Sequence, residues 1–378
     1  MRLKIRFLIN TLGGGGAEKV LIDLLRCIDP ARYEISLVSV LGGVHASEVP
    51  EYVDFKQLVK CKQPFFKKLL TKLIHKMPPA VFARMFLKGN FDIEVAYLEG
   101  SPVRFVAAKK GPSAKIAFVH CDISKENSIL PYYRNDTECF REYASFTRVC
   151  FVSEQSRVGF EQTMGVLPNA CVIHNMVDLP QIHTLSEQEA PLQYTGQGLR
   201  LVTVGRLVKE KAFDRLLQVI ADLEKQYSFE LWIIGEGEER EHLEAVIRDR
   251  QIRSVRLLGY QNNPYMFMKQ ADLFICSSLS EGYGMAMLES VLLGVPVLAT
   301  QCAATAEILD HGALGMIVEN SAEGLKRGLI QLLENADLLQ AYRRTALVKG
   351  RRFSNAQAMQ EYGDLFEQVT QKERGNGV

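Results

Sequence analysis

Two glutamates stand eight residues apart in the stretch SSLSEGYGMAMLESVLLGVPVLAT, Glu281 in a glycine-flanked turn and Glu289 inside an apolar, helix-like run. Read as one helical rise, that spacing separates the carboxylates by roughly 10 Å, the reach of a polar ligand with two hydroxyl-bearing parts. A carboxylate accepts hydrogen bonds from two vicinal hydroxyls, so it suits a ribose or another sugar. A surface turn followed by an ordinary core helix would use the same residue types, but a buried glutamate without a partner is costly. Upstream, LVTVGRLVKEKAFDRLL sets Arg206 and Lys211 between a strand-like run and a helix. A planar guanidinium and a point-charge ammonium beside a helix N-terminus suit a diphosphate, although two solvated surface cations would look alike.

A third segment, NTLGGGGAEKVLIDLL, follows the first strand-like run and opens a helix. Gly15 and Gly16 allow the backbone to approach a ligand closely, and Glu18 is an acid in the first turn, where the helix dipole favours it. The cluster does not make G-x-G-x-x-G, and EISLVSVLGG lacks a terminal acid for a ribose, so a dehydrogenase is disfavoured. The sequence contains no D-x-D, and no metal is expected.

Alternating elements must position these residues. Strand-like runs LKIRFLI, EISLVSV, DIEVAYL, AKIAFVH, RVCFVS and ACVIHN fill the first half, and LRLVTVG, FELWIIG, SVRLLG, DLFICSS and VPVLAT the second, each followed by helical periodicity. Such alternation gives parallel sheets covered by helices on both faces. The expected fold class is α/β with two doubly wound domains, 1–178 and 199–353, a linker over 179–198, and a terminal helix from a cap at Ser354. No internal repeat is visible in the sequence. Ligands bind such sheets at the carboxyl ends of their strands, so a cleft between the domains is the expected site.

At 378 residues, 47% hydrophobic and 24% charged, the chain is long enough for two cores. A net charge of +1 gives no global reason to expect nucleic acid. Eight scattered cysteines without C-x-x-C argue for a reducing compartment and against a zinc site. The basic N-terminus is too briefly apolar for a signal peptide, and no apolar run approaches the ~18 residues of a membrane span; a cytoplasmic protein is expected.

With these residues in view, the chain resembles the retaining GT-B glycosyltransferases of family 4, which build bacterial surface polysaccharides. The resemblance rests on EGYGMAMLE as the E-x7-E element, VGRLVKEK as the phosphate clamp and IIGEGEEREHLE, with GGGGAE, FVHCD and HNMVD in the first half. It implies two Rossmann-like domains: an N-terminal acceptor-binding domain and a C-terminal donor domain, with the terminal helix crossing back to the former. It implies transfer of a hexose or N-acetylhexosamine from an NDP-sugar, with uridine the expected base, to a saccharide or lipid-linked acceptor in capsule, exopolysaccharide or cell-wall glycan synthesis. Arg206 and Lys211 would stabilise the diphosphate, Glu289 would hold the ribose, and Glu281 the transferred sugar. Amides from Tyr283, Gly284 and Met285 would meet sugar or phosphate. Gly15 and Gly16 would close over the donor, the base would lie near Gly235 and Tyr260, and His120 would contact the donor sugar near the reacting carbon. Ala303 and Ala304 in TQCAATAEIL depart from the family's glycine-rich turn, which leaves Thr305 and Glu307 as weak candidates. A nucleotide-sugar epimerase on the same fold and a non-catalytic partner subunit are the alternatives.

Between Phe55 and Phe91 there are nine Lys or Arg and no Asp or Glu. Within it, Phe65–Met77 sets Phe66, Leu69, Leu70, Leu73, Ile74 and Met77 on one helical stripe with lysines largely off it. That pattern fits peripheral contact with an anionic membrane, or a stripe packed on the sheet beneath.

Overall fold

Runs rich in Val, Ile, Leu and Phe become strands buried on both faces. In the computed structural model, which describes residues 2–61, 63–125, 129–192, 198–350, 353 and 355–375, all sheet pairing is parallel. The first sheet contains β1 (Leu3–Ile9), β2 (Tyr33–Leu41), β3 (Asp54–Val59), β4 (Ile93–Ala96), β5 (Ala114–Val119), β6 (Arg148–Phe151) and β7 (Ala170–Val172). Its order is β3-β2-β1-β4-β5-β6-β7. The second contains β8 (Leu199–Val204), β9 (Phe229–Ile234), β10 (Val255–Gly259), β11 (Leu273–Cys276), β12 (Val297–Thr300) and β13 (Gly315–Val318), in the order β10-β9-β8-β11-β12-β13. Both orders reverse direction once, between β1 and β4 and between β8 and β11. Crevices outside the carboxyl ends of strands at such a reversal are where open α/β sheets bind ligands.

Two strands escaped the sequence reading. Asp54–Val59 and Gly315–Val318 lie at sheet edges and are only partly buried, so neither shows the continuous apolar run of the central strands. The segment expected as a linker opens with a helix, Leu179–Ser186, whose Asp178 cap accepts from the Gln181 N–H; its residues 193–197, and Ser354, lie outside the described residues.

The chain divides into two compact units, Met1–Val177 with Asn355–Val378, and Asp178–Ser354. In the first, the terminal helix Asn355–Gly375 packs aromatic side chains on the sheet: Tyr362 stacks on Phe118 with ring centroids 5.8 Å apart, and Phe366 meets Tyr33 edge-on at 5.7 Å. Each such buried side chain contributes about 1.5–3 kcal/mol by leaving water. β1 is fastened to β4 by Arg6 and Glu94, register partners whose side chains are 4% and 0% exposed. Arg6 bonds the carboxylate twice, at 2.9 and 2.6 Å, and gives two further donors to the carbonyls of Leu87 and Lys88. A bidentate buried pair of this kind tolerates no slip in register. In the second unit the helix Phe213–Leu223 buries Leu216, Leu217 and Ile220 against a core containing Leu231, Ile233, Ile275 and Leu298.

Candidate active site

The second sheet's reversal point collects the charged residues singled out above. The loop after β8 carries Arg206 and Lys211, and the loop after β11 carries Glu281. The Lys211 ammonium lies 2.5 Å from Glu281 Oε1, with side chains 23% and 13% exposed. Ser278 donates to the same oxygen at 2.6 Å. Burial acts to lower the Lys211 pKa, as does neighbouring Arg206, but attraction to Glu281 prevails and the net shift is upward. Arg206 is exposed and forms no ion pair among the described residues. Lys211 and Glu281 line one small cavity with Ser278, Gly284, Met285 and Ala286. The main-chain N–H groups of Met285 and Ala286 have no hydrogen-bond partner among the described residues. A cation, a carboxylate and free helix-start amides around one space can bind an anion and a hydroxyl side by side.

Backbone geometry sets this up. Gly284, with φ of +94°, caps the helix Met285–Leu292 from the left-handed region, where a side chain would be strained. The helix therefore starts after the turn, and only the last four steps from Glu281 to Glu289 follow helical rise; the spacing read as one continuous helix does not apply. Tyr283 is buried, and Glu289 lies inside the unit at 5% exposure, accepting a 2.8 Å bond from the Tyr265 hydroxyl. Gly235, at the end of β9, donates its N–H to the Gly259 carbonyl, next to the half-exposed Tyr260. A Cβ at Gly235 would come within 1.9 Å of the Gly205 carbonyl oxygen, so this glycine lets the cation-bearing loop pass.

The turn bearing Glu281 is held from behind by residues that sequence reasoning missed. Thr300 Oγ1 donates to the Ser278 carbonyl at 2.7 Å, and Asn320 Nδ2 lies 3.2 Å from that oxygen and 3.0 Å from the Leu279 carbonyl. Arg215 donates to the Ser277 carbonyl. Ser277 returns a 2.8 Å bond to the Lys211 carbonyl, and the Leu279 N–H bonds the Glu210 carbonyl at 2.7 Å. None of these residues belongs to a recognisable spacing; they are polar groups in a strand, a helix and a loop far apart in the chain. Thr305 is buried and bonded to the main chain at Thr300 and Cys302, a structural role.

In the first unit, Gly15 caps the helix Gly16–Cys27. A Cβ on Gly15 would stand 2.1 Å from Glu18 Oε2, so Gly15 leaves room for an acid turned back on its own helix start. Gly43, after β2, was not singled out, yet a Cβ there would meet the Leu12 carbonyl oxygen at 2.0 Å. His120 follows β5, and its ring lies 5.0 Å from that of Tyr97. Both ring nitrogens are buried with no hydrogen bond of normal geometry among the described residues. Burial pushes the imidazole pKa down to about 4, against the pull of Glu99 and the Tyr97 main chain, so it is neutral near pH 7.

The family described as "Glycosyl transferases group 1" matches residues 187–348, which span the cation loop and both glutamates. Over those residues the chain is similar to the group 1 glycosyl transferases. The N-acetylgalactosamine-N,N'-diacetylbacillosaminyl-diphospho-undecaprenol 4-alpha-N-acetylgalactosaminyltransferase of Campylobacter jejuni is 24% identical over 93% of this chain and 95% of its own length. The lipopolysaccharide core biosynthesis glycosyltransferase LpsE of Rhizobium meliloti is 27% identical over 86% of this chain and 87% of its own. Among solved structures, Anabaena Alr3699/HepE in complex with UDP superposes with a TM-score of 0.73 at 18% identity, over 97% of this chain and 100% of that one. The two parallel sheets are those of the GT-B fold.

Proposed function

We propose that this protein is a group 1 glycosyl transferase, a retaining enzyme that moves a hexose or N-acetylhexosamine from a UDP-sugar to a lipid-linked saccharide in surface-glycan synthesis. The observation that carries the reading is the juxtaposition of Lys211, Glu281 and the free amides of Met285 and Ala286 at one reversal point. Lys211 and Arg206 neutralise the departing diphosphate, so no metal ion is needed for that step. Glu281 holds hydroxyls of the transferred sugar, and Glu289 with Tyr265 holds the ribose. Gly235 and Tyr260 flank the base. In the N-terminal unit, neutral His120 is offered to a sugar hydroxyl, and Gly15 and Gly16 open the helix start to close approach of a ligand. The bond from the anomeric carbon to the diphosphate breaks and the bond from that carbon to the acceptor oxygen forms on the same face. The acceptor proton leaves with the diphosphate. The uridine base is supported by the Anabaena protein of the same fold, which binds UDP and, in another crystal, UDP-glucose. The lipid-linked acceptor is supported by the diphospho-undecaprenol in the Campylobacter relative's name.

A surface suited to such an acceptor is present. On the helix Pro64–Lys76, Phe65 and Phe66 are 74% and 51% exposed, and Leu69, Leu70 and Leu73 are exposed as well. Of the apolar stripe only Ile74 is buried, and Met77 packs partly against the core. Exposed apolar side chains among lysines suit the face of an anionic bilayer, and we assign this helix to peripheral membrane contact at the inner leaflet. No helix among the described residues is long and apolar enough to cross a membrane.

Thermal shift against UDP, GDP, ADP and their common sugars tests the donor assignment. A ligand at a hundredfold excess over its Kd raises stability by ~2.7 kcal/mol. A shift selective for UDP and one UDP-sugar, lost in Glu289→Ala, is the expected result; equal response to all three bases would overturn the uridine assignment.

A further inference from the structure

The two sheets share a topology that the sequence conceals, and the repeat extends to a glutamate. In the second unit Glu281 lies in the loop after β11, the strand just past the reversal, and a glycine with φ of +94° starts the next helix. In the first unit the equivalent strand is β4, and the loop after it carries Glu99. Gly100, with φ of +82°, then starts the helix Ser101–Ala107. The local sequences, SEGYG and LEG, do not align as a repeat; only the topology puts their glutamates at the same station. The β1 loop on the other side of the reversal is the glycine run, tied across the gap by a 2.8 Å bond from Ser101 Oγ to Asn10 Oδ1.

The carboxylate is held at one oxygen, while its other oxygen accepts no hydrogen bond among the described residues. Glu99 Oε2 accepts the His120 main-chain N–H at 3.1 Å, which ties the ends of β4 and β5 together. Among the described residues Glu99 has no other hydrogen bond and no ion pair, unlike Glu281, which has both Lys211 and Ser278. The side chain is part-buried, and a Cβ at Gly100 would meet the Tyr132 ring at 2.7 Å, so the loop has little room to move. Beside it stands the His120 ring, whose two nitrogens are buried with no hydrogen bond of normal geometry among the described residues. A positioned carboxylate oxygen with no protein donor among the described residues, at the reversal point of its own sheet, suits a ligand hydroxyl.

We propose that Glu99 is an acceptor-binding residue, the N-terminal unit's counterpart of Glu281, which accepts a hydrogen bond from a hydroxyl of the acceptor saccharide. The inference rests on the transferase reading. Glu99 orients that hydroxyl and takes no proton from it, the proton leaving with the diphosphate as above.

The test compares wild type, Glu99→Gln and Glu99→Ala in three measurements: UDP affinity by calorimetry, acceptor-free UDP release from a panel of UDP-hexoses and UDP-N-acetylhexosamines, and transfer to a polyprenyl-diphosphate-linked saccharide. Glutamine keeps an oxygen for the His120 N–H, and unchanged thermal midpoints show that the fold is kept. The expected result is UDP affinity and acceptor-free release within about twofold of wild type, with kcat/KM for the acceptor lowered ~10- to 100-fold, as for loss of one hydrogen bond to a charged group. Unchanged transfer in both variants would overturn the proposal. So would a parallel loss of UDP affinity, which would make Glu99 a donor or structural residue. Failure of the wild type to release UDP from any donor, with or without acceptor, would instead sink the transferase reading itself, and this inference with it.

Discussion

Replacing Glu281 by Gln should separate two effects that usually move together. The carboxylate neutralises Lys211 at 2.5 Å, and Arg206 nearby has no ion pair among the described residues. Glutamine keeps the shape but takes the local charge from one net cation to two. One unit charge about 6 Å from a phosphate at an effective dielectric of 20 is worth about 3 kcal/mol; partial exposure of the pair reduces that to ~1–2 kcal/mol. UDP should therefore bind the variant more tightly, by roughly 5- to 30-fold, while transfer falls. Stability should move the other way. Breaking a fully buried pair costs about 3–5 kcal/mol, and this one keeps some solvent, so about 2 kcal/mol is expected. In a unit of this size that is about 4–8 °C in Tm. Lys211 also changes its pH behaviour. Its raised pKa gives wild type a stabilisation that is complete below the unfolded value and is lost as pH rises through the folded one. In the variant that stabilisation is gone: burial and Arg206 act against the charge with only Cys276 opposing them, so stability no longer falls as pH rises through this range. Calorimetric titration with UDP at pH 7, beside scanning calorimetry from pH 7 to above the ordinary lysine pKa, reads both quantities. Weaker UDP binding in Glu281→Gln would refute the argument, because it would mean that Lys211 is not shared between the carboxylate and a phosphate.

Tyr265→Phe leaves the buried Glu289 one donor short and should cost the C-terminal unit about 1–2 kcal/mol, with a several-fold loss of UDP affinity; urea unfolding and calorimetry check both. His120, whose pKa is pushed down to about 4, binds fewer protons folded than unfolded between that value and its ordinary ~6.5. Stability should thus fall as pH drops through this window, by about 2–3 kcal/mol, and His120→Gln should remove that part of the slope in urea midpoints at pH 7 and 4.5. Phe66→Ser with Leu70→Ser should abolish sedimentation with phosphatidylglycerol-rich vesicles without altering UDP affinity. High salt should weaken the wild-type interaction, each cation near the surface being worth ~1 kcal/mol.

Central strands were legible because burial on both faces writes itself as unbroken apolar runs; edge strands β3 and β13 were not, since half their side chains answer to solvent. Lys211 and Glu281 were legible as types in strand-end loops, and the structure brings them into contact. Their supports were not. Thr300, Asn320 and Arg215 act through main-chain carbonyls of Ser277, Ser278 and Leu279, and a carbonyl has no residue type to pair with. Tyr265 lies 24 residues from Glu289, beyond any local period. The lysine-flanked stripe could have lain inside or outside from its spacing alone, and only packing showed that most of it faces out.

The carbonyls pinned behind Glu281 also bear on how a ligand is received. A loop that must order itself around a ligand loses about 1–2 kcal/mol of backbone entropy for each residue fixed. Here that ordering is accomplished during folding, by hydrogen bonds that no ligand has to supply. The Leu279 N–H, bonded to the Glu210 carbonyl, should therefore resist amide hydrogen exchange as strongly as the strand before it. Association with a nucleotide sugar should then carry little of the entropic loss expected of a closing loop, leaving the free energy of each new contact to appear as affinity.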